Sequence, residues 1–198
     1  MAAFDFDGTI TQRDTLAGFL VFVGGRTAVA RATARRSLAM AAGLRDDRAR
    51  DAAKEAVLGD VLRGRSEAEL VAAGERFAAL LPARYRPDTV ERIGWHRDEG
   101  HELVIVSASL TYYLQPVAKG LGFDHVIGVE MATDADRRLT GALAGPNVRG
   151  DEKAARLQAW WADRPADELW AYGNSSGDEA LLALAHHPTW IGRRAKSR

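Results

Sequence analysis

Hydrophobic and polar positions alternate with different rhythms in different parts of this chain. Residues 2–6, "AAFDF", make a short apolar run that opens into a Gly-Thr turn, and they read as a buried first strand. From about Thr15 to Leu81 only helical spacing is found. "TAVARATARRSLAMAAG" is Ala-rich with scattered arginines. In "RSEAELVAAGERFAALLP", Ser66 and Glu69 stand at capping-box spacing, Leu70, Phe77 and Leu81 share one helical face, and Pro82 ends the pattern.

Past Pro87 strands and helices alternate. "PDTVERIGWHRDEG" predicts a helix closed by Gly100, and "HELVIVSAS" a continuous apolar strand of the kind buried on both faces. "LTYYLQPVAKGLG" reads as a helix disturbed at Pro116, and "HVIGVEMATDADRRLTGAL" as strand, turn, strand. "GDEKAARLQAWWADRP" predicts a helix capped by Asp151. "ELWAYGNSSGDEALLALAHH" reads as strand, Gly-Ser loop and helix closed by His186 and His187. "PTWIG" is a last short strand, and the basic end "RRAKSR" reads as frayed. This is an α/β pattern: a Rossmann-like parallel sheet flanked by helices, with an all-helical segment inserted after the first strand. The expected division is an α/β core of residues 1–15 and 86–198 and a helical insertion of residues 16–85.

A chain of 198 residues can bury a substantial core. Its 27 basic and 27 acidic residues balance, so nothing draws it to nucleic acid. It has no cysteine, which excludes disulfides, thiolate metal sites and cysteine nucleophiles and suits a reducing cytoplasm. The N-terminal residues lack a signal-peptide pattern, and the longest apolar run, "LAGFLVFVGG", is too short to span a bilayer. The expectation is a cytoplasmic protein without stable membrane insertion.

Ligands of doubly wound sheets bind at the carboxyl ends of the strands. Four polar clusters fall at such ends: Asp5 to Thr9, Ser107 after "LVIV", Lys153 at a helix start, and Asn174 to Asp178. Two neighbouring carboxylates repel each other unless a cation or a shared proton offsets the repulsion. One can attack phosphorus while the other handles a proton. A serine hydroxyl can hold phosphate oxygens, a lysine can neutralise charge, and oxygen ligands after the later strand can complete a magnesium site.

"DFDGT", "VSAS", "GDEK" and "GNSSGD", in this order, resemble the haloacid dehalogenase superfamily of phosphatases, and the helical insertion resembles the cap of its phosphoserine-phosphatase-like branch. The resemblance implies that Asp5 is the nucleophile forming an aspartyl-phosphate and that Asp7 is the general acid and base. It implies that Ser107 binds phosphate, beside the Ala108 backbone, and that Lys153 stabilises charge. Gly8 and Thr9 would shape the phosphate loop. Mg2+ would be held by Asp5, the Asp7 carbonyl and Asn174, with Asp178 supporting directly or through water. The family usually has aspartate where this chain has Asn174, which implies weaker metal binding. Asp14 stands where the branch has a substrate-reading glutamate, one methylene longer.

The implied activity is magnesium-dependent hydrolysis of a small phosphorylated metabolite. A phosphotransferase of the same family, and a phosphatase acting on a lipid-like phosphomonoester, remain alternatives. A phospho-acceptor signalling module is disfavoured because its acceptor aspartate would lie on a later, central strand. A catalytically weak binding protein is suggested only by Asn174. Asp14, Phe19 and the arginines Arg31, Arg35 and Arg36 are expected to choose the substrate, although the arginines also suit a solvated helix face.

Overall fold

The computed structural model describes residues 1–42, 47–162 and 168–192. The basic end, residues 193–198, and the tail of the helix expected up to residue 165 lie outside them. Five parallel strands form the main sheet: β1 (Ala2–Phe4), β2 (Leu103–Leu110), β3 (His125–Val129), β6 (Trp170–Gly173) and β7 (His187–Trp190). Their spatial order is β3-β2-β1-β6-β7, so β1 lies at the centre with Phe4 opposite both Ile105 and Tyr172. Burial on both faces explains the unbroken apolar run of β2. The Phe4 ring stacks on Tyr172 at 4.3 Å and meets the edges of His96 and Phe123.

β1 is shorter than the sequence predicts. The Phe6 carbonyl accepts from the amides of Thr9, Ile10 and Thr11, which turns the backbone out of the ladder just beyond Asp5. Residues 125–143 hold three strands instead of two. β3 joins the main sheet, while β4 (Met131–Thr133) and β5 (Leu139–Leu143) form a separate antiparallel hairpin. At its turn the Asp134 carboxylate accepts from the amides of Asp136 and Arg138.

Among the described residues, the segment between β1 and α4 (Pro87–Asp98) holds three helices and no strand: α1 (Leu16–Ala42), α2 (Asp47–Leu62) and α3 (Glu67–Ala78). α1 is broken at Gly25, whose φ of 79° and ψ of 158° leave the helical region for one that glycine tolerates. α3 starts with the expected capping box, Ser66 and Glu69 each bonding the other's amide. Pro82 opens a short 3-10 turn instead of ending α3, which stops at Ala78. The segment is fastened to the sheet by Phe19 and Phe77, whose rings meet Tyr113 of α5 (Thr111–Leu121). α3 also packs on α5 through Gly74. A Cβ there would fall 2.0 Å from the Tyr112 carbonyl oxygen, the group that Pro116, lacking an N–H, leaves without its usual helical donor.

Two expected helix ends differ. α6 (Asp151–Trp161) is preceded by Gly150 in the capping position, and Asp151 is its first helical residue. α7 (Glu179–Leu184) ends before the histidines. His186 Nδ1 accepts from the Leu169 amide, and His187 belongs to β7 and stacks on Trp170 at 4.6 Å.

His96 of α4 is fully buried, with Nε2 at 2.8 Å from the Tyr172 hydroxyl and Nδ1 at 2.8 Å from His101 Nδ1. Burial, reinforced by the charges of His101 and Arg92, lowers its pKa to about 4. An unfolded histidine titrates near 6.5, so between these values the unfolded chain binds the extra proton. The associated stability is complete above pH 6.5 and falls as pH drops towards 4, by up to about 3 kcal/mol. Denaturant midpoints at pH 7, 5 and 4 test this: the native chain should lose the most, and His96→Gln should flatten the decline.

Candidate active site

The four polar clusters meet at the carboxyl ends of β1, β2 and β6. Asp5, just past β1, is buried. Its Oδ1 accepts from Lys153 Nζ at 2.6 Å and its Oδ2 from the Thr9 hydroxyl at 3.0 Å. Lys153, in the first turn of α6, also donates to Asp178 Oδ1 at 2.6 Å. The other Asp178 oxygen accepts from the amides of Asn174 and Ser175 and from the Ser175 hydroxyl. Burial works against the Lys153 charge, but Asp5 and Asp178 outweigh it and raise its pKa. For Asp178, burial is opposed by Lys153 and the loop amides, which hold its pKa below the ordinary value. Burial pushes the Asp5 carboxyl up against the pull of Lys153.

Asp7 has different surroundings. Its Oδ1 accepts from both the amide and the hydroxyl of Thr15 at 2.7 Å, and its Oδ2 from the Ser109 hydroxyl. Burial first, then the charge of Asp14, raises its pKa to about 7. Such a carboxyl keeps a proton to near neutrality and can give it to a leaving oxygen. Gly8 has a φ of +83°, and a Cβ on it would fall 2.0 Å from Asn174 Nδ2. The turn can therefore close against Asn174 only with glycine.

Asp5, Asp7, Gly8, Lys153, Asn174 and Asp178 line a cavity of about 410 Å³ together with Ser107, Ala108 and Asp14, while Thr9 and Thr15 are buried behind it. Ser107 sits inside β2, not after it, because the strand runs on to Leu110. Its Oγ accepts from the Ser109 amide. Asp14 is exposed at the rim and accepts from the Ala17 amide as α1 begins. Phe19 is not in the cavity: it is fully buried against Phe77 and Tyr113. Arg31 and Arg35 are exposed on α1 and Arg36 pairs with Asp60, which is the solvated-face alternative.

Sequence reasoning missed Ser109, Thr15, Asp51, Lys54 and Asn147. Ser109 had a signal, since two residues after Ser107 on a strand is the same face. The others come from a helix or loop with no local motif.

Asp5, Asp7 and Asn174 all line the cavity and carry oxygen atoms of the kind a hard cation takes; the Asn174 amide oxygen lies 3.5 Å from the Thr9 hydroxyl. No group of three or more His, Cys, Asp or Glu side chains placed to hold a metal is found among the described residues. With both oxygens of Asp178 taken up by Lys153 and its own loop, the donor set is short of carboxylates. It fits magnesium with several retained waters.

The family of haloacid dehalogenase-like hydrolases matches residues 2–183. The chain belongs to this family. Protein CicA of Caulobacter vibrioides is 37% identical over 190 residues, covering 93% of this chain and 82% of CicA. A histidinol-phosphatase of Neisseria meningitidis serogroup C is 29% identical over 107 residues, 51% of this chain and 48% of that protein. A structure of a protein with unknown function from Bordetella pertussis Tohama I superposes with a TM-score of 0.78 at 25% identity, over 93% of this chain and 86% of the other. A phospho-aspartyl intermediate analogue of phosphoserine phosphatase shares the fold, with a TM-score of 0.65 at 18% identity and coverage of 93% and 82%. Within the haloacid dehalogenase-like fold, the helices between β1 and α4 stand beside the strand-end cavity.

The Lys153 pair leads to a stability test. Asp178→Ala would leave a buried ammonium with one carboxylate and several loop amides without an acceptor, at a cost of about 3 kcal/mol. The denaturant midpoint should drop accordingly; an unchanged midpoint would mean that the pair contributes little.

Proposed function

We propose that this haloacid dehalogenase-like hydrolase is a magnesium-dependent phosphatase that acts through an aspartyl-phosphate. The observation that carries the reading is the contrast between its two leading carboxyls. Asp5 is buried against the Lys153 ammonium, whereas Asp7 is held by hydroxyls and an amide and keeps a proton to about pH 7. In the first step an Asp5 oxygen bonds to phosphorus as the bond to the leaving oxygen breaks, and Asp7 gives its proton to that oxygen. In the second step Asp7 takes a proton from water, the water oxygen bonds to phosphorus, and the Asp5–phosphorus bond breaks.

Ser107 and the Ala108 backbone hold phosphate oxygens, and Lys153 offsets charge on Asp5 and the phosphoryl group. Gly8 and Thr9 shape the loop below. Asp5, the Asp7 carbonyl and Asn174 would hold magnesium, which when bound neutralises phosphoryl charge; Asp178 supports them by fixing the Asn174 loop. Residues 16–85 act as a cap that limits bulk water, over a core of residues 1–15 and 86–198. The substrate is a small phosphorylated molecule. No described helix is long and apolar enough to cross a membrane, and a chain without cysteine suits the cytoplasm.

Phosphate release across a panel of phosphomonoesters, with magnesium and with chelator, tests the reading. The native chain should require magnesium, and Asp5→Asn should lose about 10³-fold or more. Release that survives Asp5→Asn would overturn the aspartyl mechanism. In the same assay Asn174→Asp should reach half-maximal rate at lower magnesium, because it adds a carboxylate to the donor set.

A further inference from the structure

Helix α2 sends two side chains, one turn apart, into the cavity wall. Asp51 and Lys54 grip the same amide, that of Asn147 in the loop before α6. Asn147 Nδ2 donates to Asp51 Oδ1 at 2.6 Å, and Lys54 Nζ donates to Asn147 Oδ1 at 2.5 Å. The donor of one and the acceptor of the other fix which way the amide faces. Lys54 also donates to the carbonyl oxygen of Ala108, between Ser107 and Ser109. An ammonium has three N–H donors, and these bonds use two. Lys54 itself lines the cavity that Asp5 and Asp7 open into. Burial lowers its pKa to about 8, against the charges of Asp51, Asp7 and Asp14, so it remains mostly charged at neutral pH.

Charged and amide side chains stand in the wall around it. Asp14, Asp51, Lys54, Asn147 and Arg149 line the cavity, and Leu16 is its one large apolar side chain among the described residues. Within the apolar run that begins at Leu16, Phe19 and Leu20 are buried in the core.

We propose that Lys54, braced by Asp51 and Asn147, is the substrate-positioning group for the leaving alcohol, and that this alcohol is small and carries an oxygen acceptor near the ester, as in a polyol or amino-alcohol phosphate, not an alkyl chain. The inference rests on the phosphatase reading and names the substrate class of that site. The remaining Lys54 donor binds the acceptor oxygen while its other two donors hold α2 across the cavity mouth. Substrate binding and closure of this wall thus share one ammonium.

The experiment compares glycerol 3-phosphate, phosphoethanolamine, p-nitrophenyl phosphate and dodecyl phosphate with native protein, Lys54→Met, Lys54→Arg and Asn147→Ala, each with magnesium. The native chain should prefer one of the two polar esters to dodecyl phosphate by a hundredfold or more in kcat/KM. Lys54→Met should raise KM for that polar ester at least tenfold more than it raises KM for p-nitrophenyl phosphate. Lys54→Arg should recover part of the loss, and Asn147→Ala should show a smaller loss in the same direction. A native preference for dodecyl phosphate would overturn the proposal. So would an equal fall in kcat on every ester, or an active native chain whose KM is indifferent to Lys54→Met and Asn147→Ala. No phosphate release from any ester by the native chain would instead overturn the phosphatase reading beneath it.

Discussion

A single buried ammonium holds this site in shape. Lys153 lies between Asp5 and Asp178, each at 2.6 Å, and all three are almost wholly removed from solvent. Either carboxylate alone would be costly at this depth, and the two together would repel. The lysine comes from the start of α6, Asp5 from beyond β1, and Asp178 from the loop after β6, so three elements distant in sequence share one charge balance. The Asn174 loop is positioned by the same balance, because the second Asp178 oxygen collects its amides. The rest of the cavity is built outward from this pair of contacts.

Much of this was legible in the sequence because the relevant signals were local. Apolar runs bounded by turn residues identified the strands of the parallel sheet, and the polar clusters at their ends identified Asp5, Asp7, Ser107, Lys153, Asn174 and Asp178 as neighbours. The capping box at Ser66 and Glu69 also needs only residues close in sequence. Illegible features were set by partners far along the chain. Phe19 has the composition of a pocket wall, but Phe77 and Tyr113 draw it into the core. His186 and His187 continue a helical reading until β7 pairs with β6 and takes His187 into the sheet. The β4–β5 hairpin stands apart because the segment joining α2 and α3 supplies it with partners: the Gly64 amide donates to the Leu139 carbonyl, and the Leu139 amide to that of Arg65.

Asp5 and Asp7 are two identical side chains, both raised by burial, whose partners differ. Asp5 faces a cation, and Asp7 faces hydroxyls, an amide and a second carboxylate at the rim. The difference depends on Ser109 and Thr15, which carry no motif of their own. Their contribution is to orient Asp7, while burial first and then the charge of Asp14 raise its pKa.

The seat of α3 on α5 has a mechanical consequence. Gly74 occupies the position where Pro116 has stripped a carbonyl of its helical partner, so the two helices touch backbone to side-chain-free backbone. Such a contact has no side chain to rearrange and therefore cannot slide by rotamer changes. It anchors one end of the helical segment to α5, while α1, broken at Gly25, packs on α2 already at Gly24, against Val61. The helical segment is thus seated at a fixed point on α5, and α2 reaches the core separately, through Lys54.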